Sequence, residues 1–270
     1  MSEIGYADTP GGRLAYVRRG VGEPLLLVMG VAGHHRMWGE PFLTALAESF
    51  DVVAFDHRGI GTSARADEAF TIADLAVDAA AVLDHLGWES AHVMGISMGG
   101  TVAQELALRR PERVRRLVLG CTWAGPGNGT DEPVWGAGVG LLAEAAASGD
   151  LETAARLMFS ANVSPGFAAE PGRFEEFTEI AGSVRVPGPV VLLQMQAGAV
   201  HDAVDRLGAL NLPTLVVHGT LDQVIVWGAG ERLAGLVPGA RLELFDDVGH
   251  LFFWEEPERA AALVTSHLGA

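Results

Sequence analysis

Short apolar runs alternating with helix-period segments constrain this chain more than any other feature. Residues 24–29 (PLLLVM), 52–55 (VVAF), 91–95 (AHVMG), 114–119 (VRRLVL) and 214–218 (TLVVH) are β-branched or leucine-rich. Residues 13–18 (RLAYVR) alternate as a half-exposed strand does, and 241–245 (RLELF) closes the series. Continuous apolar strands of this length suit a parallel sheet covered on both faces. Between them, residues 72–86 set Ile72, Leu75, Ala76, Ala79, Val82, Leu83 and Leu86 on one helical stripe, with Gly87 as the stop. Residues 99–109, 228–236 and 256–268 read as further helices. The alternation predicts an α/β fold with a doubly wound, mostly parallel sheet whose sites lie at the carboxyl ends of the strands.

One region breaks the rhythm. Residues 124–133 (AGPGNGTDEP) are dense in turn formers, and from about 134 to 200 the chain reads as helices separated by SGD, SPG, EPG and VPGP. The sheet pattern resumes at LPTLVVHG. The expected organisation is a core made of residues 1–123 and 201–270, with 124–200 inserted as a helical cap above the sheet.

The strand at 91–95 runs into Gly95-Ile96-Ser97-Met98-Gly99-Gly100 and then into a helix. A serine at so sharp a strand-to-helix turn is held in a strained conformation and projected above the sheet, and its neighbours must be small because strand and helix come close. Serine is a weak nucleophile unless a base lies within hydrogen-bond reach and a carboxylate orients that base. Asp222 follows the strand at 214–218, and His250 follows the last strand and precedes the final helix. All three residues fall just after separate strands, on one predicted sheet edge, in the order Ser97, Asp222, His250. Asp246 and Asp247 are too near His250 in sequence to approach it from another strand. The strand ending near Cys121 offers no carboxylate before Asp131.

On these motifs the chain resembles the α/β-hydrolase superfamily over nearly its whole length. The matching segments are GISMGG, HGTLDQV, GHLFFWEEPE and, at 55–63, FDHRGIGTS. The closest likeness is to the branch of 3-oxoadipate enol-lactonases, small esterases and meta-cleavage product hydrolases. The resemblance implies an eight-stranded sheet, and it makes Asp56 and Arg58 structural members of a loop. Acyl transfer also needs two backbone donors at the developing oxyanion. The amide of Met98 supplies one at a helix N-terminus. The second is expected in the loop after 24–29. Family members often carry His-Gly there; this chain has Met29-Gly30, and alignment on Gly30 makes Val31 the donor.

The implied reaction is hydrolysis of a carboxylic ester or lactone through an acyl-enzyme, with no metal or organic cofactor. Apolar residues in 124–200 are expected to roof a pocket for a small, largely apolar molecule. His34, Trp123, Trp135, Met158 and Leu251 are its candidate lining, and no arginine can be placed there for an anionic substrate. The same triad leaves open carbon–carbon bond hydrolysis and thioester or acyl-transfer chemistry. A ligand receptor or slow pseudo-enzyme on the same fold is the alternative from another class.

Other signals exclude rather than assign. The net charge is -16, with 34 acidic residues against 18 basic ones, all arginine. Such a chain repels polyphosphate, so nucleic acid is not an expected partner. GIGTSA (59–64) imitates a dinucleotide fingerprint but opens into RADEAFT rather than a helix, WGAGVG (135–140) follows a loop, and no lysine is present for a phosphate-binding loop. His34 and His35 are adjacent and lack a third ligand at metal spacing. The single cysteine, Cys121, reads as an inert core thiol. The first residues lack a signal-peptide pattern, and no apolar run approaches the roughly 20 residues of a membrane span. A soluble, cytoplasmic monomer or homodimer is expected.

Overall fold

The computed structural model describes residues 3–126 and 133–269. Asp131, weighed above as a carboxylate, lies outside them. Eight strands form one sheet: β1 (Ile4–Thr9), β2 (Gly12–Arg19), β3 (Glu23–Val28), β4 (Phe50–Phe55), β5 (Ala91–Ile96), β6 (Val114–Gly120), β7 (Thr214–Gly219) and β8 (Arg241–Phe245). Their spatial order is β1-β2-β4-β3-β5-β6-β7-β8. β1, β2 and β4 pair antiparallel, and every other pairing is parallel. β1 is an element the apolar pattern does not announce. It pairs along β2, and Gly5 opposite Tyr16 makes room for that ring, since a Cβ there would lie 2.4 Å from Tyr16 Cζ.

The helices account for both faces. α1 (Glu40–Ala47) and α11 (Pro257–Gly269) cover one, where Phe42, Leu46 and Val264 pack with Leu25, Leu27 and Val217. α2 (Ile72–His85), α3 (Met98–Arg109) and α9 (Trp227–Leu236) cover the other, where Leu75, Val102 and Leu233 meet Leu26, Val93 and Val216. Covered twice, β4, β5 and β7 bury every residue, which is why they read as continuous apolar runs. α2 starts where the sequence says it can: Thr71 accepts from the Asp74 amide while the Asp74 carboxylate accepts from the Thr71 amide, a reciprocal cap worth about 1 kcal/mol. It stops before Gly87, whose φ of 69° suits a residue without a side chain.

β3 lies between β4 and β5, so successive connections leave it in opposite directions. Ligand sites in open α/β sheets lie at such a reversal, beyond the carboxyl ends of the strands. The register sets those ends level: Val28 pairs with Gly95, Ile96 with Gly120, Gly120 with Val217, and Gly219 with Phe245.

Between β6 and β7 there is no further strand among the described residues. The chain forms α4 (Gly138–Ala147), α5 (Leu151–Asn162), α6 (Pro165–Ala168), α7 (Arg173–Ala181) and α8 (Gly188–Ala199). The two ends of this insertion meet where the Ala203 amide donates to the Ala124 carbonyl at 2.8 Å. Its contacts fall on loops of the carboxyl edge. Val190 packs on Gly59, Gly61 donates to the Arg185 carbonyl, Gly198 faces the Trp123 ring, and Phe177 meets Trp254 edge-on at 5.9 Å. The helix expected at 256–268 is α11, and a short helix the sequence reading does not include, α10 (Phe252–Glu255), precedes it. None of the helices is long and apolar enough to cross a membrane, among the described residues.

Candidate active site

Ser97 sits between β5 and α3 with φ 52° and ψ -127°. A non-glycine residue held at positive φ costs about 1–3 kcal/mol, so the surroundings must enforce it. They do so by close approach. A Cβ on Gly95 would stand 2.1 Å from the Gly99 carbonyl oxygen, and one on Gly99 would stand 2.1 Å from that of Val28. The Ser97 amide donates to Gly120 at 2.9 Å, and its carbonyl accepts from Thr122 Oγ1 at 2.7 Å. As the residue before α3 it makes no side-chain cap, so its hydroxyl is not spent on the helix amides. No hydrogen bond joins that hydroxyl to another described residue. Catalytic bonds of this kind are commonly long without substrate and tighten once it binds.

Asp222 and His250 meet below. His250 Nδ1 lies 2.7 Å from Asp222 Oδ2, and both side chains are buried. Asp222 Oδ1 accepts from the amides of Val224 (2.8 Å) and Ile225 (3.0 Å), and His218 Nε2 approaches Oδ2 at 3.1 Å. Burial alone would raise the carboxyl pKa. The charge of His250 and the bonds from His218 and His250 outweigh it and hold Asp222 well below the usual carboxylate range. An ionised carboxylate can only accept, so His250 Nδ1 is the donor of this bond, and Nε2 is left outside it. The strand ends tie this pair to Ser97. Gly120, which accepts the Ser97 amide, precedes Cys121, whose Sγ lies within 4.8 Å of ligating atoms of both Asp222 and His250.

Cys121, Asp222 and His250 are the one grouping with metal-ligand spacing among the described residues. Burial, with the Asp222 charge added, pushes the Cys121 thiol well above its ordinary range, so it is a protonated, poor ligand. His250 Nδ1 and Asp222 Oδ2 already satisfy each other. The chemistry of this set suits proton transfer better than metal binding.

The oxyanion side is built on a turn. Gly33 donates to the Gly30 carbonyl at 3.2 Å, and Ala32, third residue of that turn, has φ 59°. Positive φ at this position marks a type II turn, where glycine is the usual occupant. Gly30 is pressed against Ser97, since a Cβ there would lie 2.9 Å from Ser97 Cβ. The amides of Val31 and Met98 make no hydrogen bond to another described residue, whereas that of Ala32 donates to Gln194 Oε1 at 2.8 Å.

The remaining sequence candidates separate. Trp123 and Leu251 are buried, and Trp123 lies 4.9 Å from Trp135 between ring centroids. Trp135 and Met158 are 48% and 37% exposed, so they stand at the rim of the insertion rather than in its interior. His34 is buried, and burial lowers its pKa to about 4. His35 turns away to bond Asp56 through Nδ1 at 3.0 Å. Asp56 also caps the His35 amide, and Arg58 is paired with buried Asp78 at 2.8 Å, so both hold loops. Three residues went unassigned from sequence. His218, four residues before Asp222, carries a signal in that spacing. Gln194 and Glu255 carry none. Glu255, its carboxyl raised by burial, accepts from the amides of both Ser164 and Gly249 at 2.9 Å.

With a strained serine, a buried Asp–His pair and two free amides at one switch point of a doubly wound sheet, the comparisons agree in class. Residues 23–257 match the family model described as alpha/beta hydrolase fold, and the chain belongs to that family. It is 33% identical over 264 residues to the 2-hydroxymuconate semialdehyde hydrolase of Pseudomonas sp. (strain CF600), covering 92% of this chain and 88% of that one. It is 30% identical over 254 residues to the RutD protein of Azorhizobium caulinodans, provisionally named a carbamate hydrolase, covering 94% of each. The crystal structure of the enol-lactonase from Burkholderia xenovorans LB400 superposes with a TM-score of 0.84 at 25% identity, over 98% of this chain and 100% of that one. The protein is a hydrolase of this fold.

Proposed function

We propose that the protein is a serine hydrolase that cleaves a carboxylic ester or lactone of a small, largely apolar substrate. The observation that carries this reading is the buried Asp222–His250 bond of 2.7 Å, which fixes the imidazole tautomer on the sheet edge that presents Ser97. His250 Nε2 takes the Ser97 proton as Oγ attacks the carbonyl carbon. The oxyanion is received by the amides of Met98 and Val31, and loss of one such donor typically costs about 100- to 1000-fold in rate. His250 returns the proton to the leaving alcohol or enol, then activates a water that releases the acid. The buried pair Trp123 and Leu251 and the insertion's aromatic side chains favour an apolar acyl group, with 124–200 acting as cap. The partner is the small-molecule substrate, and no metal or organic cofactor enters the steps.

A fluorophosphonate probe is expected to label Ser97, and Ser97→Ala to lose both labelling and p-nitrophenyl ester turnover. Labelling that persists in that variant refutes the nucleophile. A second reading, hydrolysis of a carbon–carbon bond, is favoured by the 33% identity to the semialdehyde hydrolase. A panel of esters, lactones and vinylogous dienones with graded acyl chains separates the two by relative kcat/KM.

A further inference from the structure

Gln194 belongs to α8, far from the sheet in sequence, yet its side chain is fully buried against the loop after β3. Its Oε1 must be the acceptor of the 2.8 Å bond, because the partner is the Ala32 amide. That leaves Nε2 buried and without a partner among the described residues. A buried donor left unmatched is normally selected against, so the site keeps glutamine for its acceptor. The acceptor must also be neutral: a glutamate would set a negative charge beside an amide meant to receive another.

The amide it holds is that of the central peptide in the Gly30–Gly33 turn. Rotation of that peptide, about ψ of Val31 and φ of Ala32, interconverts the type II form seen here with the type I form that alanine prefers. Ala32 at φ 59° is therefore held against its own preference, and the hydrogen bond from its amide is what holds it. The Val31 amide, on the reading above the second oxyanion donor, belongs to the preceding Gly30–Val31 peptide of the same turn, so it stays in place only while the turn is anchored. Val190 on Gly59 and Gly198 on Trp123 seat the same helix on either side of Gln194, so the acceptor is delivered by a braced element.

We infer that Gln194 is a positioning residue for the oxyanion hole: the insertion, through one side-chain carbonyl, anchors the turn that carries the Val31 amide. The inference rests on the serine-hydrolase reading. Gln194→Met preserves length and removes the acceptor. It is expected to lower kcat for a p-nitrophenyl ester by about 10- to 100-fold, short of deleting a donor, with KM within about two-fold of the parent. The phosphonylation rate by the fluorophosphonate should fall in parallel. The decisive readout is a double-substitution cycle with Ala32→Gly. Glycine adopts positive φ freely, so the kcat loss caused by Gln194→Met should shrink by at least about three-fold in that background. An equal loss in both backgrounds, a change confined to KM, or an unchanged kcat each overturns the inference. So does unfolding of both Gln194→Met and Gln194→Ala, since the bond would then serve the fold rather than the hole. Failure of the parent protein to be labelled or to turn over esters instead refutes the serine-hydrolase reading.

Discussion

The sheet edge and the helical insertion are built by different means. β4, β5 and β7 bury every side chain, and the residues that follow the strands are held by backbone: register, close glycine contacts and main-chain hydrogen bonds. The insertion buries far less of itself. α7 buries only Phe177, and α5 only Phe159 and Ala161. It grips the core through individual side chains such as Phe177 on Trp254 and Gln194 on Ala32. Geometry set by backbone tolerates sequence change poorly but holds atoms closely. Geometry set by side chains is the more adjustable of the two.

Three changes test that division, in falling order of effect. Asp222→Asn keeps the shape of the acid but reverses its hydrogen-bonding role, so His250 takes the wrong tautomer. A kcat loss of about 10,000-fold is expected with KM little changed, measured on a p-nitrophenyl ester; a loss under ten-fold breaks the assignment of chemistry to the sheet edge. Phe177→Ala removes a ring that lies 5.2 Å from Phe159 and 5.9 Å from Trp254. Truncating a buried phenylalanine costs about 3–5 kcal/mol, and the expected signature is a raised KM with kcat within a few-fold. A kcat that falls with unchanged KM would mean that the insertion's aromatic packing acts on the chemical step.

The third is a pH test of whether the two regions unfold together. His92, on β5, and His201, just past α8, are both buried, and burial lowers the pKa of each to about 4. Unfolded histidine takes up its proton near 6.5. The unfolded state therefore binds more protons between those values, and stability present above pH 6.5 is lost as pH falls towards 4. Each residue contributes at most about 1.4 kcal/mol per pH unit in that window. His92→Gln and His201→Gln should each flatten the slope of Tm against pH if unfolding is a single event. Flattening by His92→Gln alone would show the insertion coming loose first.

What the chain discloses before folding follows the same division. Strands buried on both faces leave continuous apolar runs, and a nucleophile turn leaves its glycines, so Ser97, Asp222 and His250 could be set on one edge from spacing. β1 escapes because its six residues mix exposed and buried positions around Gly5. α1 escapes because a short helix leaves little periodicity to read. Gln194 is illegible for a different reason: its partner lies 162 residues away, and no local pattern tells one glutamine of α8 from another. His218 stands between these cases. It lies in the segment HGTLDQV, but its approach to Asp222 depends on how the chain turns after β7.

Glu255 carries a mechanical consequence. One half-buried carboxylate oxygen receives the amide of Ser164, at the foot of the insertion, and that of Gly249, immediately before His250. The Leu251 amide adds a bond to the Asn162 carbonyl at 2.9 Å. Lifting α5 and α6 would therefore pull on the loop that carries His250, so the foot of the insertion and the Asp222–His250 bond are mechanically one unit.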